Sequence, residues 1–212
     1  MNTEHKLLGY YNYTVILTYI GMLSGFLGII CAVRELFYPS IVCLMFSGFC
    51  DMFDGAIAST RERNTQEKCF GIQIDSLSDL VCFGVLPAMI VCSMNKGLLI
   101  VCIGALYVLC ALIRLSYFNV DEQERQQKSS EPRSLYYGLP VTLSALFVPM
   151  IFSIFSLLSW RTDLALTVTI ILMGIFFLVP VPLKKPKLAG KIGFICCGIA
   201  AFILVMLVRT RL

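Results

Sequence analysis

DMFDGAIASTRERNTQEKCFGIQIDSLSD, residues 51–79, decides how the rest of the chain is read. Strongly apolar runs flank it on both sides, yet it carries Asp51, Asp54, Asp75 and Asp79. Asp51, Asp54, Gly55 and Ala58 recur at three- and four-residue spacing, which places them on one face of a helix. Gly71, Asp75 and Asp79 recur every four residues and form a second helical stripe. Acids at the end of a membrane helix are costly and mark a functional site by default. Four acids converging from neighbouring helices repel one another, so cations or protons must neutralise them. Hard oxygen ligands of this kind suit Mg²⁺ or Mn²⁺ rather than zinc, since no His or Cys cluster accompanies them.

Outward from that stretch the chain is a membrane protein. Of its 212 residues 58% are hydrophobic and only 14% charged, and apolar runs near the ~18–20 residues that span a bilayer recur along it. The runs cover about 14–33, 38–58, 71–93, 98–119, 139–158, 164–181 and 192–208. The expected fold is an all-α polytopic membrane bundle, with a six-span core and one additional C-terminal span. No polar segment is long enough to build its own core, so residues 1–212 read as a single membrane domain. The N-terminus lacks a basic region followed by a short apolar stretch and a cleavage site, so no removed signal peptide is expected.

The ten Cys are scattered through apolar segments without metal spacing and read as small packing residues. His5 is the single histidine, and no Ser–His or Cys–His pair emerges for covalent catalysis. A net charge of +4 is too small to argue for nucleic acid. Its distribution says more. Arg61, Arg63, Lys68, Arg125, Lys128, Arg133, Lys184, Lys185, Lys187 and Lys191 fall on one side if the spans alternate. Arg34, Lys96 and Arg161, with Arg209 and Arg211 at the end, fall on the other. Basic loops stay inside, which puts the N-terminus and the acidic stretch at the cytoplasmic face, of the cell membrane in a prokaryote. Gly21-Met-Leu-Ser-Gly25 is a small-xxx-small pattern, read as packing within the chain ahead of dimerisation.

D-x-x-D-G-x-x-A followed by G-x-x-x-D-x-x-x-D resembles the signature of the CDP-alcohol phosphatidyltransferases, integral membrane enzymes that move a phosphatidyl group from a CDP-linked lipid to an alcohol. The resemblance implies metal ligation by Asp51, Asp54 and Asp75. It makes Asp79 the base that takes the alcohol proton, touching a metal as well. It implies a nucleotide site at Asp51, Gly55, Ala58, Ser59, Gly71 and Asp75, two divalent ions (Mg²⁺ or Mn²⁺), and a homodimer. The chain departs from the family at Ser59, where Arg is usual; Arg61 and Arg63 are the candidates to replace that charge.

Three further patches resemble the phosphatidylserine synthases within the family: Asp75–Ala88 (DSLSDLVCFGVLPA), Arg114–Val120 (RLSYFNV) and Tyr137–Pro140 (YGLP). They imply CDP-diacylglycerol as donor, L-serine as acceptor and CMP as product. Thr18, Arg61, Arg114 and Asn119 are the candidate substrate contacts. Arg114 sits in an apolar helix, where its charge calls for an anionic partner. Gly138 and Pro140 are expected to shape a helix start, and Asn119 either binds serine or caps the fourth helix. Lys184, Lys185, Lys187 and Lys191 either attract anionic lipid headgroups or serve as topology signals. The alternatives are the same chemistry with glycerol 3-phosphate or an inositol phosphate as acceptor, a small transporter using intramembrane acids, and an inactive scaffold. A bland reading pairs the acids with Arg61, Arg63 and Lys68 in a solvated ion network.

Overall fold

A computed structural model describes residues 9–128, 135–184 and 188–209. His5, Arg133, Lys185, Lys187 and Arg211 lie outside the described residues, as do the side chains of Arg125, Lys128, Tyr137, Lys184 and Lys191.

The chain is a bundle of apolar helices: α1 (Ile16–Val33), α2 (Phe37–Ala58), α3 (Thr65–Asp79), α4 (Leu86–Met94), α5 (Leu98–Lys128), α6 (Ser144–Leu157), α7 (Thr162–Leu178) and α8 (Leu188–Arg209). A π-helical turn, Leu80–Val85, joins α3 to α4 without a break, so Thr65–Met94 is one rod. That rod, α2, the rod beginning at Tyr13 and the stretch Leu98–Glu124 are long and apolar enough to cross a membrane; the stretches Val141–Leu157, Thr162–Leu178 and Cys196–Arg209 are shorter and also apolar. Two three-residue strands, β1 (Leu135–Tyr137) and β2 (Pro182–Lys184), pair antiparallel and clasp the segment after α5 to the segment after α7. The polytopic helical bundle expected from the apolar runs is therefore the architecture observed, with α8 seated against α6.

In lipid, helices gain little from hydrophobic contact with each other, so small residues and hydroxyls hold them together. The α1–α2 pair follows that rule. Ser47 Oγ donates to Gly21 O at 2.8 Å, Ser40 Oγ to Gly28 O at 2.8 Å, and Ser24 Oγ to Cys43 O at 3.2 Å. Gly21 and Gly25 are buried inside the chain against Cys50 and Cys82, so the small-xxx-small pattern packs within the chain as expected.

The helix that holds the apolar run from Gly71 extends outward through the charged residues to Thr65; one boundary, the end of the fourth span, differs from the sequence reading. Asn64 accepts from the Glu67 backbone N–H at 2.7 Å while the Glu67 carboxylate accepts from Asn64 N–H at 3.0 Å. This reciprocal cap satisfies two of the helix-end donors and starts the helix outside the apolar run. The fourth span runs on to Lys128, nine residues past Asn119, so Asn119 caps nothing.

Cross-loop contacts agree with alternating spans. Tyr10 Oη donates to Gln66 Oε1 at 2.8 Å and Tyr13 Oη meets Thr60 Oγ1 at 3.1 Å, so the N-terminal segment and the α2–α3 loop share one face. On the other face Lys96 Nζ donates to Glu35 Oε1 at 2.6 Å, tying the α4–α5 turn to the α1–α2 turn. The Lys96 ammonium holds the Glu35 carboxyl below its ordinary value of 4.5. A depressed carboxyl contributes stability above its unfolded pKa and loses it as pH falls through the folded one. K96M should therefore return the Glu35 titration upward by NMR, and should leave stability nearly unchanged at pH 7 because exposed pairs contribute little.

Candidate active site

The acidic cleft forms where α2 and α3 converge beside α1. Carboxylate oxygens of Asp51, Asp54 and Asp75 lie within 4.8 Å of one another. Asp54 is buried at 9% exposure and accepts a hydrogen bond from Thr18 Oγ1 at 3.2 Å. The carboxyl groups of Asp51 and Asp79 are in contact, as are those of Asp54 and Asp75. Two carboxylates in contact must share a proton or a cation. The two helical stripes read from the spacing thus meet in one cluster.

Thr18, Gly21, Ser47, Cys50, Ser78, Cys82 and Phe83 complete the wall of the cleft. Among the described residues no Lys or Arg lines it, and Arg61 pairs instead with Glu67, at 3.6 Å, which is not the solvated ion network of the bland reading. An octahedral magnesium with ligand distances of 2.0–2.1 Å spans about 4.2 Å between opposite oxygens. The carboxylate spacing is close to that span and the donors are all hard oxygens, so the residues present fit a divalent ion. Ser47, Cys50, Ser78 and Cys82 were not singled out from the sequence. The signal was there: Ser47 and Cys50 precede Asp51 and Asp54 by one turn each, and Ser78 and Cys82 follow Asp75 and Asp79 by three residues.

The remaining candidates fall outside that wall. Nothing stands within 4 Å of a side-chain carbon added at Gly55, which opens to solvent. Ser59 Oγ donates to Ala56 O at 2.7 Å and closes the end of α2; Ala58 is half-buried beside it. Gly71 is covered by Arg63, whose Nη1 lies 3.0 Å from where a Gly71 Cβ would be. Among the described residues Arg63 has no ion-pair or hydrogen-bond partner.

Asn119 accepts from Ser76 Oγ at 2.7 Å, fastening α5 to the residue after Asp75. Arg114 is buried, stacks over Phe118 at 5.6 Å and donates through Nη2 to Gly138 O at 3.4 Å. Gly138 has φ +77, and a Cβ there would lie 3.0 Å from Phe177 O and 3.2 Å from Arg114 Nε. Only glycine fits that left-handed, crowded position. The Gly-Leu-Pro turn therefore closes over Arg114 and leads into the 3₁₀ turn that starts α6, the helix-start role expected of it.

Comparison with known proteins bears on this cluster. A protein named CDP-diacylglycerol--serine O-phosphatidyltransferase from Saccharomyces cerevisiae is 35% identical over 64% of this chain and 53% of its own length. An archaetidylserine synthase from Methanothermobacter thermautotrophicus is 30% identical over 57% of this chain and 52% of its own. A CDP-diacylglycerol--serine O-phosphatidyltransferase from Methanocaldococcus jannaschii is 27% identical over 82% of this chain and 74% of its own. The chain spans about half the length of the first two relatives. Residues 11–210 match the CDP-alcohol phosphatidyltransferase family. The match takes in both acidic stripes, and the chain belongs to that family.

Proposed function

We infer that the chain transfers a phosphatidyl group from CDP-diacylglycerol to L-serine, giving phosphatidylserine and CMP. The observation that carries this is the cluster of four aspartates brought together by α2 and the Thr65–Met94 rod, in a chain of this family. The serine acceptor rests on the names of the relatives and on the Asp75–Ala88, Arg114–Val120 and Tyr137–Pro140 patches.

Asp51, Asp54 and Asp75, with Asp79 in contact with Asp51, would hold the divalent ions (Mg²⁺ or Mn²⁺). Such ions draw charge off the phosphoryl oxygens and the departing CMP when bound. The protein's own part is alignment and proton transfer. Asp79 takes the proton of the serine hydroxyl. The serine oxygen bonds to the phosphorus that carries the diacylglycerol, the bond from that phosphorus to the CMP oxygen breaks, and CMP leaves with the electron pair. Thr18 keeps Asp54 oriented. The open surface at Gly55, Ala58 and Ser59 leaves room for the cytidine, and Arg63 over Gly71 supplies the cation that Ser59 does not. Arg114 and Asn119 shape the acceptor wall through Gly138 and Ser76. The basic loops support a site facing the cytoplasm, and the family supports a homodimer.

R63A should raise the KM for CDP-diacylglycerol about 10- to 100-fold, the weight of one hydrogen bond to a charged group. R61A should change it little, because Arg61 is half-exposed and already paired. Equal effects of the two would remove Arg63 from the phosphate site.

The test of the reaction is CMP release by the purified chain from CDP-diacylglycerol, with Mg²⁺ or Mn²⁺ and each alcohol separately. Release that requires both L-serine and metal is expected. Release with glycerol 3-phosphate or an inositol phosphate alone would keep the chemistry and overturn the acceptor. No release from folded protein with any alcohol would favour the scaffold. A transporter calls for acids near the middle of the bilayer, whereas Asp51 and Asp54 lie in the last two turns of α2.

A further inference from the structure

The π turn Leu80–Val85 follows Asp79 directly, and its cause is legible two residues past its end. In an α-helix the Phe83 carbonyl would accept from the N–H of residue 87, and residue 87 is proline, which has none. The helix widens, with Leu86 N–H reaching back five residues to Val81 O. The Phe83 carbonyl is instead met from two other helices. Tyr107 Oη on α5 donates to it at 2.8 Å, and Ser144 Oγ, the first residue of α6, donates at 3.2 Å. Both residues are buried, Tyr107 at 2% exposure and Ser144 at 0%. The neighbour of Ser144 grips the other acidic helix. Ala145 Cβ lies 2.5 Å from where a Gly48 Cβ would be, one turn before Asp51. Gly84 has a matching fit, its absent Cβ 3.3 Å from Ala111 Cβ on α5.

An α-helix turns about 100° per residue, so a one-residue π insertion re-phases everything before it against everything after it. Here α4 is locked in the core, with Leu86, Ile90 and Val91 fully buried. The π turn is what lets Asp75 and Asp79 face Asp51 and Asp54 while α4 keeps that packing. We propose that Tyr107 and Ser144 are positioning residues for the acidic site: their hydroxyls clamp the Phe83 carbonyl freed by Pro87, and the clamp fixes the helical phase of Asp75 and Asp79. The consequence for turnover rests on the reading given under Proposed function; the consequence for the geometry does not.

The test compares the full chain with Tyr107→Phe, Ser144→Ala, the pair of substitutions together, and Ser144→Thr, which keeps a hydroxyl. Three quantities are read on the purified proteins: amide hydrogen exchange over residues 75–88, Mn²⁺ affinity without substrate, and the split between kcat and KM for CMP release. The pair is expected to speed exchange over 75–88 while the other helices stay protected. It should weaken Mn²⁺ binding about tenfold or more and lower kcat with KM for CDP-diacylglycerol unchanged, and Ser144→Thr should behave as the parent. Unchanged exchange over 75–88 in the pair overturns the clamp. So does a pair that loses only melting temperature, with Mn²⁺ affinity and kcat of the folded fraction intact. A parent chain that releases no CMP with L-serine overturns the acceptor reading alone, because the exchange arm still decides the clamp.

Discussion

Asp79→Asn should lower CMP release by roughly a thousandfold, within the range expected for removing a general base, while CDP-diacylglycerol binding should stay near that of the parent. Asparagine keeps the size and one acceptor oxygen of aspartate but cannot take a proton from the serine hydroxyl. Asp79 is the last residue of α3, one turn beyond Asp75, in contact with Asp51 rather than part of the Asp51–Asp54–Asp75 trio whose oxygens lie within 4.8 Å. The contrast is Asp54→Asn. Asp54 sits inside the trio and is already held by Thr18, so its loss should show first as weakened Mn²⁺ binding and a raised metal requirement. Equilibrium binding of radiolabelled CDP-diacylglycerol, read beside the rate, separates the two. If Asp79→Asn loses lipid binding along with turnover, Asp79 is a metal ligand first and a base second.

Gly25→Val should be the most damaging substitution away from the acids. A Cβ at Gly25 would lie 2.5 Å from Cys82 Sγ and 3.2 Å from Cys82 Cα. The second of these is backbone, so it cannot be cleared by a rotamer change. Overpacking of this kind costs about 1–3 kcal/mol when neighbours can give, and here the neighbour is the π turn that borders the acidic cleft. The expected result is a lower melting temperature together with lost Mn²⁺ affinity, as α1 is pushed off the turn and Thr18 off Asp54. Cys82→Ala removes the Sγ contact and should recover part of the loss in Gly25→Ala, whose Cβ then meets only the backbone and Cβ of residue 82. It should recover little in Gly25→Val. Additive effects of Gly25→Ala and Cys82→Ala would mean that the two residues do not press on each other.

The acids were legible because membrane helices make side-chain spacing nearly equivalent to position: Asp51, Asp54, Asp75 and Asp79 could share a cleft only if both stretches were helical. Thr18, read as a candidate substrate contact, donates its hydroxyl to Asp54. The start of the acidic rod was written in the sequence as Asn64 and Glu67, a cap signature masked by the charged residues around it. The phase of the rod was harder to read. Residues 71–93 look like one uninterrupted helix, and a π turn leaves no mark on apolar periodicity. Its local trace is Pro87 four residues after Phe83, and the hydroxyls that answer it come from residues 107 and 144, a pairing no local pattern contains. Arg114 was expected to want an anion, and a backbone carbonyl from the Gly-Leu-Pro turn stands beside it. Long-range contacts of this sort depend on tertiary packing rather than on propensity.

The length of the Thr65–Met94 rod has a consequence for how the two substrates meet. Thirty residues of helix measure about 45 Å, and the hydrocarbon layer takes about 30 Å of that, or ~20 residues. Counted back from Met94, the oily portion ends at Asp75. With the rod upright and Met94 at the far edge of that layer, Asp75 would stand at the near edge and Asp79 one turn beneath it. If the chain carries out the transfer proposed above, the lipid donor would reach the cleft sideways from its leaflet and the small acceptor would reach it from water. The cleft would then be a seam between two phases, and neither reactant would have to change solvent.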